Sequence, residues 1–125
     1  MMSHSAASSG QYRPAWKPID SIVRTWSATA SPRGAEEYSR YFADALLPQL
    51  RELPGFAGAY LLRRDSGADG NVELTACTFW ASTAAISAFA GDDITASVVE
   101  PEARAMLLDF DRTAVHHSLM VDARG

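Results

Sequence analysis

The stretch at residues 72–91, V-E-L-T-A-C-T-F-W-A-S-T-A-A-I-S-A-F-A-G, constrains the fold more than any other. It reads as a strand that runs straight into a short helix. In an extended chain Val72, Leu74, Ala76, Thr78 and Trp80 point one way, and Glu73, Thr75, Cys77 and Phe79 the other. Both sets are largely apolar, which predicts a strand covered on both faces. Ser82 suits an N-cap, Ile86 and Phe89 fall on one helical face, and Gly91 stands where the helix should stop. Trp80, at the strand end beside the helix start, has two readings: a pocket wall, or plain core, since large aromatics mostly supply buried area.

The rest of the chain supplies partners for that unit. Residues 1–18 are rich in Ser, Ala and Gly and carry Pro14 and Pro18, so they read as a flexible tail before a domain at 19–125. Tyr12 and Trp16 stand out there; folding back over the body and an extended arm are both open. Residues 19–28 read as the first strand, with Ile22, Arg24 and Trp26 on one face and Val23 and Thr25 on the other.

Ser31-Pro32 opens a long helix, a capping residue followed by a proline suited to the first turn. Tyr38, Phe42, Ala45, Leu46, Leu50 and Leu53 follow the spacing of a buried stripe, and Pro48 inside it predicts a kink. Leu53-Pro54-Gly55 ends the helix, residues 56–64 form a second strand, and D-S-G-A-D-G-N at 65–71 is a hairpin loop by composition. After the central unit, a helical segment starts near Glu100, with Ala103, Met106, Leu107 and Phe110 as its buried side. A last strand runs over 112–121, with Val115 and His117 on one face and Ala114 and His116 on the other.

The order is β-α-β-β-α-β, the ferredoxin-like pattern among α+β folds with an antiparallel sheet. Helices cover one face of such a sheet. With strands apolar on both faces, a second subunit is the economical cover for the other, so a homodimer is expected.

Composition narrows the function. The 125-residue chain fits one domain, and a net charge of -4 with no Lys/Arg cluster argues against a nucleic-acid partner. No apolar run approaches the roughly 20 residues of a membrane span, and the first residues lack the basic and apolar regions of a secretory signal. With Cys77 the single cysteine, no intrachain disulfide can form, which fits a reducing cytoplasm. No glycine-rich phosphate loop, zinc-spaced Cys/His set or serine–histidine triad is visible. Arg24 beside Trp26 has two readings, a rim arginine or an anion binder in a pocket. Tyr38 and Tyr41, separated by one turn, either approach one cleft or sit at the core boundary.

The pieces R-T-W at 24–26, E-E-Y at 36–38, L-P-G-F at 53–56, Trp80-Ala81-Ser82 leading to A-F-A-G at 88–91, P-E-A at 101–103 and V-H-H-S at 115–118 occur in an order and spacing that resembles the antibiotic biosynthesis monooxygenase family of dimeric α+β barrels. The resemblance covers about residues 20–122. It implies a small cavity between sheet and helices, and oxidation of an aromatic or polyketide-derived phenol, quinol or anthrone by molecular oxygen without metal, flavin or haem. The protein assists deprotonation, and the electron-rich anion then reduces oxygen.

On that resemblance the catalytic candidates are His117, matching the family's last-strand histidine, Trp80 and Tyr38. Arg24, Trp26, Phe42 and His116 are the substrate-binding candidates. His116 is the alternative base, because neighbouring strand residues face opposite sides and only one histidine can enter a given cavity. Family oxygenases carry an asparagine four residues before the strand-three tryptophan; here that place is Ala76, which removes a donor. Haem-degrading relatives need an axial histidine in the second helical region, and residues 81–115 contain none. Beside the oxygenase stand a non-catalytic small-molecule-binding dimer and a non-oxidative cyclase or isomerase of the same fold.

Overall fold

The computed structural model describes residues 21–65 and 69–123. The expected tail with Tyr12 and Trp16, and the middle of the 65–71 loop, lie outside them. Strand β1 (Ile22–Ala30) pairs antiparallel with β3 (Val72–Trp80) along its whole length, from Ile22 opposite Trp80 to Ala30 opposite Val72. Strand β2 (Phe56–Asp65) takes the other edge of β3, with a bulge between Phe56 and Gly58. The free edge of β1 is taken by two short pieces, β4 (Asp109–Phe110) and β5 (Val115–Ser118). The sheet order is β2-β3-β1-β4, with β5 also on β1. This is the ferredoxin-like α+β arrangement with an antiparallel sheet.

The helices form where the capping chemistry puts them. Helix α1 (Pro32–Tyr41) starts at Ser31, whose hydroxyl accepts from the Gly34 N–H at 3.0 Å. Helix α3 (Thr83–Ala90) starts at Ser82, which accepts from the Ala85 N–H at 3.1 Å, and ends at Gly91 with φ of 84°. The disturbance expected at Pro48 takes the form of a single π turn, Phe42–Leu46, between α1 and α2 (Leu47–Arg51). The Leu47 N–H reaches back to the Phe42 carbonyl. Pro48 has no N–H to offer and its ring crowds the carbonyl four residues earlier, so widening the preceding turn relieves the clash. A short α4 (Pro101–Arg104) follows the connector from residue 91 to 100.

One sheet face meets the helices. Ala30, Val72, Leu74 and Ala76 pack with Ala35, Tyr38, Phe42 and Ala103, while Trp80 packs with Leu50 and Ile86. Burial alternates strictly along β3, as the pattern of two predicts. Among the described residues nothing covers the second face. There Tyr60 is 47% exposed, Leu62 52% and Val115 54%, beside half-buried Cys77 and Phe79.

The last strand also departs from expectation. Its pairing with β1 covers Val115–Ser118 rather than 112–121, and Phe110, expected on a helix face, lies in β4. Between them the chain turns from β1 to the connector, where Thr113 bridges Ala96, the Ser97 N–H donates to the Arg112 carbonyl, and the Ala114 N–H to the Thr95 carbonyl. These bonds satisfy backbone groups of a connector that has no sheet of its own.

Candidate functional site

A cavity of about 40 Å³ lies between the covered sheet face and the helices. Its floor is Arg24 and Trp26 of β1 with Ala76 and Thr78 of β3. This grouping follows from register, since Arg24 lies opposite Thr78 and Trp26 opposite Ala76. Its roof is Tyr38, Phe42, Leu46 and Leu50 from the α1–π–α2 run, and Phe89 and Val98 close the remaining sides. The volume holds about three waters, since one water needs roughly 10–15 Å³ of such space.

Arg24 is the one cation in this wall and is only 4% exposed. Its guanidinium donates to the carbonyls of Ile94 and Ala96 on the connector, the latter at 2.9 Å, and lies 5.5 Å from the centroid of the Phe89 ring. Among the described residues no carboxylate pairs with it. Burial lowers its pKa from the ordinary arginine value, yet a guanidinium stays protonated in a protein. A buried positive charge met by neutral groups, here two carbonyls, an aromatic ring and an imidazole, is costly unless an anion joins it.

The other polar groups on the wall are hydroxyls. Thr78 accepts a hydrogen bond from the Trp80 indole N–H at 2.8 Å, which leaves its own O–H to donate elsewhere. Burial, aided by the neighbouring Tyr41, pushes the Tyr38 phenol well above its usual pKa, so it is a neutral donor and not a phenolate. The Trp26 ring packs at 6.3 Å from Tyr38, and its indole N–H donates to the Asp111 carbonyl at 2.8 Å, which pins the break in the last strand.

Of the residues singled out from sequence, Arg24, Trp26, Tyr38 and Phe42 are brought together around this cavity. Trp80 sits behind the wall, fully buried, against the wall residues Thr78, Leu50 and Phe89. The two histidines separate as alternation requires. His116 lies opposite Arg24 and shares its face, with Nε2 3.4 Å from the guanidinium. Partial burial, the Arg24 charge and His117 lower its pKa, which keeps the imidazole neutral near pH 7. His117 lies opposite Val23 on the open face, away from the cavity. Leu46, Leu50, Thr78, Phe89 and Val98 complete the wall and were not singled out as site residues. Thr78 had a signal: it is a hydroxyl residue on the covered face of β3, in phase with Ala76 and Trp80.

Solved structures with this architecture carry several descriptions. A Bacillus cereus protein described as a candidate antibiotic biosynthesis monooxygenase superposes with a TM-score of 0.58 at 13% identity, covering 84% of this chain and 96% of its own. The chain has the antibiotic biosynthesis monooxygenase fold. A variant of a cofactor-independent oxygenase from Streptomyces nogalater shares that fold at a TM-score of 0.50 and 24% identity, covering 79% of this chain and 90% of its own. A haem-degrading protein from Mycobacterium tuberculosis matches at 0.52 and 23%, covering 84% and 98%. At these identities the likeness is one of fold, and this fold carries more than one chemistry. No family model and no curated protein matches the sequence. Among the described residues no helix is long and apolar enough to cross a membrane, and no cluster of His, Cys, Asp and Glu could hold a metal ion.

Proposed function

We propose that the protein binds a phenol, quinol or anthrone-type aromatic in the Arg24 cavity and promotes its reaction with molecular oxygen without metal, flavin or haem. The observation that carries this reading is Arg24, a buried cation without a carboxylate partner, set among aromatic side chains in a wall whose side chains offer donors. The Arg24 charge and the Thr78 and Tyr38 hydroxyls favour negative charge on a bound ring oxygen, which lowers its pKa and releases the proton. The electron-rich anion passes one electron to oxygen, the two radicals combine as a peroxide on the ring carbon, and loss of water leaves a carbonyl. One oxygen atom enters the product as the new carbonyl, and the other leaves as water with the two hydrogens the substrate loses, both from the CH₂ of an anthrone, or from the hydroxyl and a ring C–H of a phenol or quinol. Trp26 and Phe42 supply apolar ring contacts that exclude water. His116, neutral and beside Arg24, is the imidazole placed to take up the released proton.

The test is oxygen consumption by metal-stripped protein with a panel of hydroquinones and anthrones. Uptake above the blank is expected, reduced by about 100-fold in Arg24→Gln, in line with removal of one oxyanion-stabilising donor. If His117→Ala abolishes uptake while Arg24→Gln does not, the chemistry lies on the other sheet face and this reading falls. The second reading, a non-catalytic binding protein, is favoured by the absence of any carboxylate or imidazole from the described cavity wall and by Ala76, which offers no donor. It predicts binding of the same compounds with no uptake.

We also infer that the protein is a cytoplasmic homodimer, with the second copy covering the face that bears Tyr60, Leu62 and Val115. Sedimentation should give the mass of two chains for the natural protein and one for Leu62→Lys, because a charge buried in that contact has no partner. A natural protein that sediments as a monomer sinks the inference.

A further inference from the structure

We propose that the ligand of the Arg24 cavity is a carboxylate carried on a single aromatic ring. This rests on the same cavity as the oxygenase reading but not on any oxygen chemistry.

The cavity is equipped to receive an anion and poorly equipped to make one. The side-chain polar groups on its described wall are the Arg24 guanidinium and the Thr78 and Tyr38 hydroxyls, all able to donate. The Thr78 oxygen accepts the Trp80 indole N–H with one lone pair, and its own proton remains to donate to a ligand. No side chain on the described wall is a carboxylate or imidazole, and the nearest base, His116, stands behind Arg24. A phenol, with a pKa of about 10, reaches the site neutral, whereas a carboxylic acid of pKa about 4 arrives ionised at neutral pH.

The charge and shape at Arg24 narrow the class further. Of the five guanidinium N–H groups, those facing Ile94, Ala96 and His116 account for three at most, so at least two remain for a ligand. Two donors in one plane match the two oxygens of a carboxylate. A phosphate dianion would leave a net negative charge buried beside one cation. In a ligand of this class the carboxylate takes Arg24, and a ring hydroxyl is left to Thr78 and Tyr38.

Size sets the ring count. A volume for about three waters does not accept a ring without movement of a wall. The described lining lies in regular elements except at Val98, which is on the connector. Arg24 holds that connector through Ile94 and Ala96, so the wall that has to move is tied to the group that receives the carboxylate. One yielding side chain makes room for one ring, not for three fused rings, so within the substrate class proposed above the single-ring phenols and quinols fit and the anthrones do not.

Calorimetric titration of the full chain at neutral pH tests this with benzoate, its neutral isostere benzamide, and anthracene-9-carboxylate. Benzoate should bind at least tenfold tighter than either of the others, and Arg24→Gln should lose the preference for benzoate over benzamide. Equal affinity for benzoate and benzamide, no benzoate binding at millimolar concentration, or tighter binding of the three-ring acid each overturns the proposal. If Arg24→Gln does not fold, as read by circular dichroism, the natural protein's benzoate-to-benzamide ratio decides alone, and Thr78→Val reports whether the hydroxyl contributes. Because oxygen is not measured, a benzoate binder without oxygenase activity is told apart from an oxygenase that ignores benzoate.

Discussion

Trp80→Ala should lower the unfolding free energy by about 3–5 kcal/mol, the usual range for truncating a fully buried tryptophan. Trp80 has no exposed surface and packs with Leu50 and Ile86. Its ring makes an edge contact with Phe56 at 5.3 Å and stacks on Phe89 at 5.9 Å. Removing it takes away apolar area, opens a void between two helices and the sheet, and leaves the Thr78 hydroxyl without the indole donor. Urea titration read by circular dichroism gives the number. A loss below about 1 kcal/mol would mean that α2 and α3 collapse into the void, and that the indole is not the keystone of this cluster. Trp80→Phe is the informative companion, since it retains most of the volume and removes the N–H.

Gly34→Ala should destabilise the protein by about 1–3 kcal/mol, the usual cost of forcing extra volume into a packed site. Helix propensity alone points the other way, towards a gain of about 0.5–1 kcal/mol on replacing a helical glycine with alanine. The sign is reversed by a long-range contact. A Cβ built on Gly34 lies 2.3 Å from the Met106 carbonyl oxygen, a backbone atom that cannot step aside without moving the turn after α4. Gly34 is therefore the place where the start of α1 rests against the far end of the chain. The same urea titration settles it: a stabilised variant would show that this contact yields freely.

Both substitutions turn on contacts between segments far apart in sequence, and the same division separates what was legible in the chain from what was not. Ser31 and Ser82 could be assigned as caps because a cap is a local event: a hydroxyl, an extended residue and an N–H three positions on. The disturbance at Pro48 was legible for the same reason, although its form as a π turn depended on how α1 and α2 both stay seated on the sheet. Alternation placed Arg24 and Trp26 on one strand face, and helical spacing placed Tyr38 and Phe42 on one helix face. All four line the cavity.

The choice between His116 and His117 was not a local matter. Alternation said only that they part, and the pairing of β5 with β1, His116 opposite Arg24, decided which one joins the covered face. The break in the last strand escaped notice because residues 112–114 bond the connector, a segment with no periodicity of its own. Trp80 read more readily as core than as wall, and it stands one residue behind the wall, with Thr78 in front.

The amino-acid sequence by itself determined the elements, their order, their caps and the residues that share each face, because all of these follow from backbone geometry repeating every two or every 3.6 residues. Tertiary structure alone decided which face meets the helices, which histidine stands beside Arg24 and how little space the cavity leaves. Those outcomes depend on strand register and on side chains from distant segments competing for the same volume.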